Sequence, residues 1–289
     1  MEFLTIIIVL ALLQLWGSGG SIQRDEWLTI LSKRIASFTT DSRFRLGLLV
    51  GLPVLLLLII QVSFESMLFG LLSLLLYIAV LLYSLGRSEF NENVAQYLMH
   101  WHNANFQAAY HSASKLGDFQ CSEQVDDHIE LHDAMRSAFI YEGYQRWFAV
   151  VFWFLVLGPV GALAYRITYL ASHTALLEGD DKHLAYRATH YIDWLPARLL
   201  CLSFCLTGNF VNSFNRFCSI ASDNKPVSEL LDDCAAAAIT GFDEQVVYPT
   251  DQEHFIAFGK KQIHALQSLL SRSVICWVML IAVMQLFVW

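Results

Sequence analysis

Uncharged apolar runs alternate with polar stretches along this chain, and the lengths of the runs decide the class of fold. The organising run is Trp147 to Tyr165, which carries no charge and is closed by Arg146 and Arg166. At about 1.5 Å per helical residue it reaches roughly 28 Å, close to the hydrocarbon thickness of a bilayer. Pro159 lies inside it. Its ring crowds the carbonyl of Leu155 and it has no backbone donor, so the pattern predicts a kinked helix. Membrane helices tolerate such a break where neighbouring helices cover the freed carbonyl. Gly158 and Ala162 share a face and predict close helix approach, with Gly161 in the same Gly158-Pro159-Val160-Gly161 break. The run is expected inside a bundle, not bathed in lipid.

Five further runs have comparable character: Phe3 to Trp16, Leu46 to Phe64, Ser66 to Gly86, Leu199 to Asn215 and Ser273 to Trp289. The first is short. Only Glu2 precedes it, not the positive n-region of a signal peptide, so it is expected to stay as a span that ends at Gly17–Ser21. The second and third flank Glu65 and predict a tight helical hairpin. The last closes on an interfacial tryptophan. Residues 87–146 are patterned for water. Val94, Leu98, Trp101 and Ala109, and then Val125, Ile129, Leu131, Met135, Ala138 and Phe139, recur at helical spacing. They predict two amphipathic helices, the second running into the central span. Residues 167–192 form a polar connector with a helix near Asp181 to Tyr191. Residues 216–272 form a second helical insertion, with Phe255, Phe258, Leu266 and Leu269 on one face. The predicted fold is therefore an all-α, polytopic integral membrane helix bundle with about six spans and two helical extramembrane insertions, one domain over residues 1–289.

Composition agrees. Hydrophobic residues make up 56% of the chain and charged residues 15%, against about 25% charged in soluble domains. The bilayer is thus the first expected partner. A net charge of -8 provides no field for nucleic acid, which is excluded as a partner. Six cysteines make no CxxC pair and read as small core residues. Lysine and arginine orient the chain: the loops 17–45, 86–146 and 212–272 hold 5, 4 and 5 of them, and the connectors 62–65 and 171–191 hold 0 and 2. The positive-inside rule then predicts cytoplasmic basic loops and both termini outside.

Candidate chemistry gathers at the ends of the central and fifth spans. Tyr165 and Arg166 close one. Asp193, Pro196 and Arg198 open the other, with Asp193 as N-cap and Pro196 in the first turn. Arginines beside a helix N-terminus suit a phosphate or carboxylate. The alternative is that both arginines snorkel to the interface and Asp193 only caps. The histidines are weaker candidates. His128 and His132 share a helical face, but Glu130 is one place off the zinc-protease HExxH pattern. Asp126, Asp127 and Asp133 also suit a solvated acidic helix, and Asp180-Asp181 reads as a helix start. No metal and no cofactor are expected, and no catalytic residues are assigned.

Several of these residues also carry a resemblance. Arg146-Trp147-Phe148-Ala149, Phe152-Trp153, Leu157-Gly158-Pro159-Val160-Gly161-Ala162-Leu163 and Tyr165-Arg166 resemble the AmpE proteins of Gram-negative bacteria. So do Asp193-Trp194-Leu195-Pro196-Ala197-Arg198-Leu199, Leu206-Thr207-Gly208-Asn209-Phe210, and the start Trp16-Gly17-Ser18-Gly19-Gly20 with Gln23-Arg24-Asp25. AmpE is similar to the wider CobD/CbiB group, which makes adenosylcobinamide phosphate by amide-bond formation. That group carries a paired aspartate where this chain has Thr189 and His190, and an asparagine where it has Asp193. The resemblance implies a multi-pass protein of the bacterial inner membrane. It further implies a regulatory modulator of β-lactamase induction, hence of antibiotic resistance, linked to peptidoglycan recycling and to an AmpD-type amidase. An anionic cell-wall fragment or a nucleotide is the implied ligand, with Arg146, Tyr165, Arg166, Asp193 and Arg198 as binding candidates and Gly158, Pro159, Gly161 and Pro196 as structural motif. The alternatives are an amide-forming enzyme acting on another substrate, against which the missing acidic pair weighs, and a membrane carrier for cell-wall fragments.

Overall fold

The computed structural model describes residues 2–16, 25–65, 70–85, 89–117, 119, 121, 128–174, 176–221, 225–239 and 251–287. Every regular element among them is a helix. In chain order these are α1 (Glu2–Trp16), α2 (Glu26–Ala36), α3 (Ser42–Glu65), α4 (Leu71–Ser84), α5 (Glu89–His102) and α6 (Phe106–Ala113). There follow α7 (His128–Gly143), α8 (Val150–His173), α9 (Gly179–Thr207), α10 (Phe210–Ile220), α11 (Val227–Ala238) and α12 (Gln252–Phe287). The Gly17–Ser21 stretch, the turn after Glu65, Asp126, Asp127 and Trp289 lie outside the described residues.

Among the described residues, three helical stretches are long and apolar enough to cross a membrane: Ser42–Phe64, His128–His173 and Gln252–Phe287. Glu2–Gln14 and Leu71–Ser84 are apolar but shorter. The expected count of six spans is corrected at the fifth. Leu199 to Asn215 is not one helix, because α9 ends at Thr207 and α10 begins at Phe210. Gly208 lies against Ala238, where an added Cβ would meet the Ala238 carbonyl oxygen at 2.5 Å. The Asn209 amide is turned outward to donate to that carbonyl at 2.8 Å. The Asn209 side chain then caps α10 through the Asn212 amide. The last expected span is the C-terminal part of α12, whose 36 residues would reach roughly 54 Å, longer than a bilayer core.

The chain divides into two compact units, Met1–Ser88 with Gln145–Asp193, and Glu89–Tyr144 with Trp194–Trp289. In the first, α8 packs on α3 and α4, α1 on α4, and α2 on α3. Leu28 and Ile35 of α2, Leu49 and Leu57 of α3, and Leu163, Ile167 and Leu170 of α8 share one buried cluster. Helix α8 begins where a π-helical turn, Tyr144–Ala149, follows α7. Half of the apolar window of this stretch is buried, against 22% in α3 and α12, which fits a bundle-facing helix. The kink falls at Gly158, with φ 68° and ψ -157°, a region essentially reserved for glycine. Close helix approach at Gly158 is not found: nothing lies within 4 Å of its missing Cβ. The crowded position is Gly161, where a Cβ would stand 2.3 Å from the Trp153 carbonyl oxygen. The break thus brings the chain back against itself.

In the second unit, α5 packs on α6, α11 on α7 and α10, and α12 on α5 and α7. Trp101 is its centre. The ring stacks on Tyr97 at 5.6 Å, meets His132 at 5.1 Å, and donates its indole N–H to the Ile256 carbonyl at 3.1 Å. Gly259 permits this, since a Cβ there would lie 2.9 Å from the Trp101 Nε1. The periodicity located the faces of these helices. Val94, Leu131, Met135 and Phe139 are buried, as are Phe255, Leu266 and Leu269. Leu98 and Phe258 are half-buried, Ile129 is exposed, and Val125 lies outside the described residues.

Candidate functional site

Arg166 is the centre of the polar network in the first unit. It sits at the end of the apolar part of α8 and is 5% exposed. Its Nη2 lies 3.7 Å from Oδ2 of Asp25, just ahead of α2. Asp25 Oδ1 accepts from the Tyr83 hydroxyl at 3.0 Å, and that hydroxyl accepts from the Trp27 indole at 3.1 Å. Three helices therefore contribute to the surroundings of one guanidinium. The Arg166 Nε is buried with no hydrogen-bond partner among the described residues. A buried donor in that state costs about 1–3 kcal/mol, and an incoming oxygen would recover it.

Tyr165, the neighbour on α8, is buried and donates its hydroxyl to Oδ1 of Asp193 at 2.8 Å. Asp193 is 1% exposed. Its expected role as N-cap is corrected, because α9 begins at Gly179 and runs through Asp193 and Pro196 to Thr207. Asp180 and Asp181 occupy the first turn, so the helix has its acidic start much earlier. Asp181 pairs with Arg45 at 2.8 Å. Partial burial raises the Asp181 carboxyl, but hydrogen bonds from Ser42 and Arg45 outweigh it and hold the group below its usual value. The hydroxyl of Thr189, at one of the expected aspartate places, lies 3.0 Å from both the Ser172 hydroxyl and the Ala185 carbonyl, within hydrogen-bond reach of each.

Arg146 lies half-buried in the π-helical turn that precedes α8. Arg198 belongs to the second unit. Its Nε donates to the Ala221 carbonyl at 2.9 Å and its Nη1 to the Trp194 carbonyl at 3.0 Å. The guanidinium lies 4.0 Å above the Trp194 ring. Its planar fork is thus already used by the protein. Pro196 is buried inside α9.

The structure therefore gathers Tyr165 with Asp193, and Arg166 with Asp25 and Tyr83. Asp25 and Tyr83 were not singled out as site residues from the sequence. The available signals were weak: an acidic residue just before a helix, and a tyrosine whose polar tip falls near the end of an apolar run. The histidines take other roles. His132 is buried between Tyr97 and Gln262, whose Oε1 is 2.7 Å from its Nε2, and His128 stacks on Phe106 at 3.8 Å. Among the described residues, no group of three or more His, Cys, Asp or Glu is placed to hold a metal ion.

Comparison with known proteins gives one family. The model of the regulatory signalling modulator protein AmpE matches residues 1–227. No curated protein and no solved structure matches the chain.

Proposed function

The chain belongs to the AmpE family of regulatory signalling modulators, and from that premise we propose that it modulates β-lactamase induction through the recycling of peptidoglycan fragments. The family match over residues 1–227 carries this reading. The apolar helices make it a membrane protein, and we place it as a multi-pass protein of the bacterial inner membrane with its basic loops in the cytoplasm.

The proposed sensor is Arg166. Its guanidinium is buried, its ion-pair partner Asp25 stands off at 3.7 Å, and among the described residues its Nε–H is unmet. A carboxylate or phosphate of an anionic cell-wall fragment is suited to that donor. Tyr165, beside it on α8, ties that helix to α9 through Asp193, and Arg146 and Arg198 are further binding candidates. An amide-forming chemistry draws no support from this site, since Thr189 stands at an expected aspartate place and is committed to hydrogen bonds.

The experiment is deletion with complementation, read by β-lactamase induction and by the pool of anhydro-muropeptides. Deletion is expected to shift both, the wild-type gene to restore both, and Arg166→Lys at normal abundance to restore them incompletely, because lysine keeps the charge and loses the fork. An unchanged response in both readouts on deletion overturns the regulatory reading. Full rescue by Arg166→Lys removes Arg166 as the sensor.

A further inference from the structure

The first unit contains a cleft of 570 Å³ that the regulatory reading does not use, within the range of roughly 300–1,000 Å³ in which small-molecule sites fall. One wall is a stripe of α2. Trp27, Ile30, Leu31 and Arg34 line the cleft and stand at i, i+3, i+4 and i+7, so they form one helical face. The facing wall is α3, through Leu52, Leu56 and Ile60, in the middle of a helix long and apolar enough to cross a membrane. The adjoining face of α2 holds Leu28 and Ile35 in the buried cluster with Leu49 and Leu57. Helix α2 is thereby anchored while its second apolar stripe stays uncovered: Ile30 is 66% exposed and Leu56 62%.

Two observations specify what fills such a space. The lining is apolar and opens beside exposed apolar side chains of α3, Leu55, Leu56 and Ile59, the kind of surface a membrane span turns to hydrocarbon chains. Arg34 brings the one cationic side chain in the lining. Among the described residues its guanidinium has no ion pair or side-chain hydrogen bond. Trp27 and Tyr83, both on the cleft, direct their polar atoms to the Asp25 network. An apolar slot beside a helix able to cross a membrane, with a single cation that lacks a partner among the described residues, matches an acyl chain that carries an anionic head.

We propose that the cleft between α2 and α3 binds one acyl chain of an anionic membrane phospholipid, with the headgroup phosphate held by Arg34. The apolar stripe binds the chain whatever its headgroup. Arg34 supplies the preference for negative charge, about five-fold for one basic residue near the membrane surface. The proposal concerns Arg34 and the α2 stripe, not Arg166, although Trp27 and Tyr83 border both the cleft and the Arg166 network.

The test uses the full-length protein reconstituted in nanodiscs of equal phosphatidylcholine and phosphatidylglycerol, with retained lipid identified by native mass spectrometry. The wild type should retain phosphatidylglycerol about five-fold over phosphatidylcholine, and excess inorganic phosphate should not displace it. Arg34→Glu should abolish the preference while lipid is still retained. Ile30→Trp, which fills the slot, should abolish retention. Leu55→Trp, an exposed position of α3 outside the cleft lining, should behave as wild type. Should Ile30→Trp lose its helical content, the surface change Arg34→Glu decides by itself. Equal retention of the two lipids by wild type, an unchanged preference in Arg34→Glu, or a polypeptide in place of lipid overturns the proposal.

Discussion

At the scale of single residues, the partners of each arginine separate roles that the amino-acid types alone leave merged. Arg198 donates to two backbone carbonyls and covers Trp194, so its fork is occupied within the protein. Arg166 has a distant carboxylate and, among the described residues, an unmet donor, so its fork has capacity left. Tyr165 gives the cleanest test of how firmly this region is built. Tyr165→Phe keeps the ring volume and removes a hydrogen bond to the buried Asp193 carboxylate. It should lower unfolding stability by about 1–3 kcal/mol, measured by chemical denaturation in detergent. A loss within measurement error would show that the Asp193 carboxylate is held by its other contacts.

At the scale of elements, α8 shows why adjacent glycines in one motif are not equivalent. Gly158 is required by its backbone angles and has free space around it, whereas Gly161 is required by space. Gly158→Ala should therefore cost about 1–3 kcal/mol through strain at positive φ. Gly161→Ala should cost more, because the obstacle is the Trp153 backbone carbonyl, which cannot rotate away as a side chain can. Thermal unfolding of the two variants in one detergent should rank them in that order, and the reverse ranking would refute the account. Helix α9 teaches a related lesson. Asp193 and Pro196 suit a helix start, yet the helix runs through both. A proline inside a helix forfeits one backbone bond, a loss that the buried packing of Ala197, Leu200 and Cys201 in the following turn offsets.

At the scale of the whole molecule, ion pairs fasten helices whose apolar faces alone would permit sliding. Arg45 at the start of α3 pairs with Asp181 at the start of α9 and also donates to the Thr39 carbonyl at 2.7 Å. In the second unit, Arg136 of α7 grips Asp232 of α11 with two bonds of 2.7 and 2.8 Å. The Asp181 carboxyl is depressed in the folded protein. Its contribution to stability is thus fully present above the ordinary value of 3.8 and is lost as pH falls through the lower folded value. Asp181→Asn should flatten the acid limb of the stability profile below about pH 4 and leave the relative stability at neutral pH reduced. An unchanged acid limb in the variant would assign acid sensitivity to other carboxylates.

What the sequence determined by itself is the helical character of the chain, its apolar runs, the buried faces of α5, α7 and α12, and the kink in the central helix. These rest on local causes: period, length of uncharged run, and a proline beside a glycine. The AmpE resemblance was equally local, carried by contiguous motifs. Tertiary structure alone decided which polar groups meet. Asp25, Tyr83 and Arg166 are far apart along the chain, and only the packing of α2, α4 and α8 brings them together. It also decided that the fifth apolar run breaks at Gly208, since the carbonyl that draws the Asn209 amide outward belongs to Ala238 on another helix. The spare apolar stripe of α2 has the same origin. Periodicity shows that a helix is amphipathic, but which part of its apolar surface is covered depends on the neighbours that the fold places beside it.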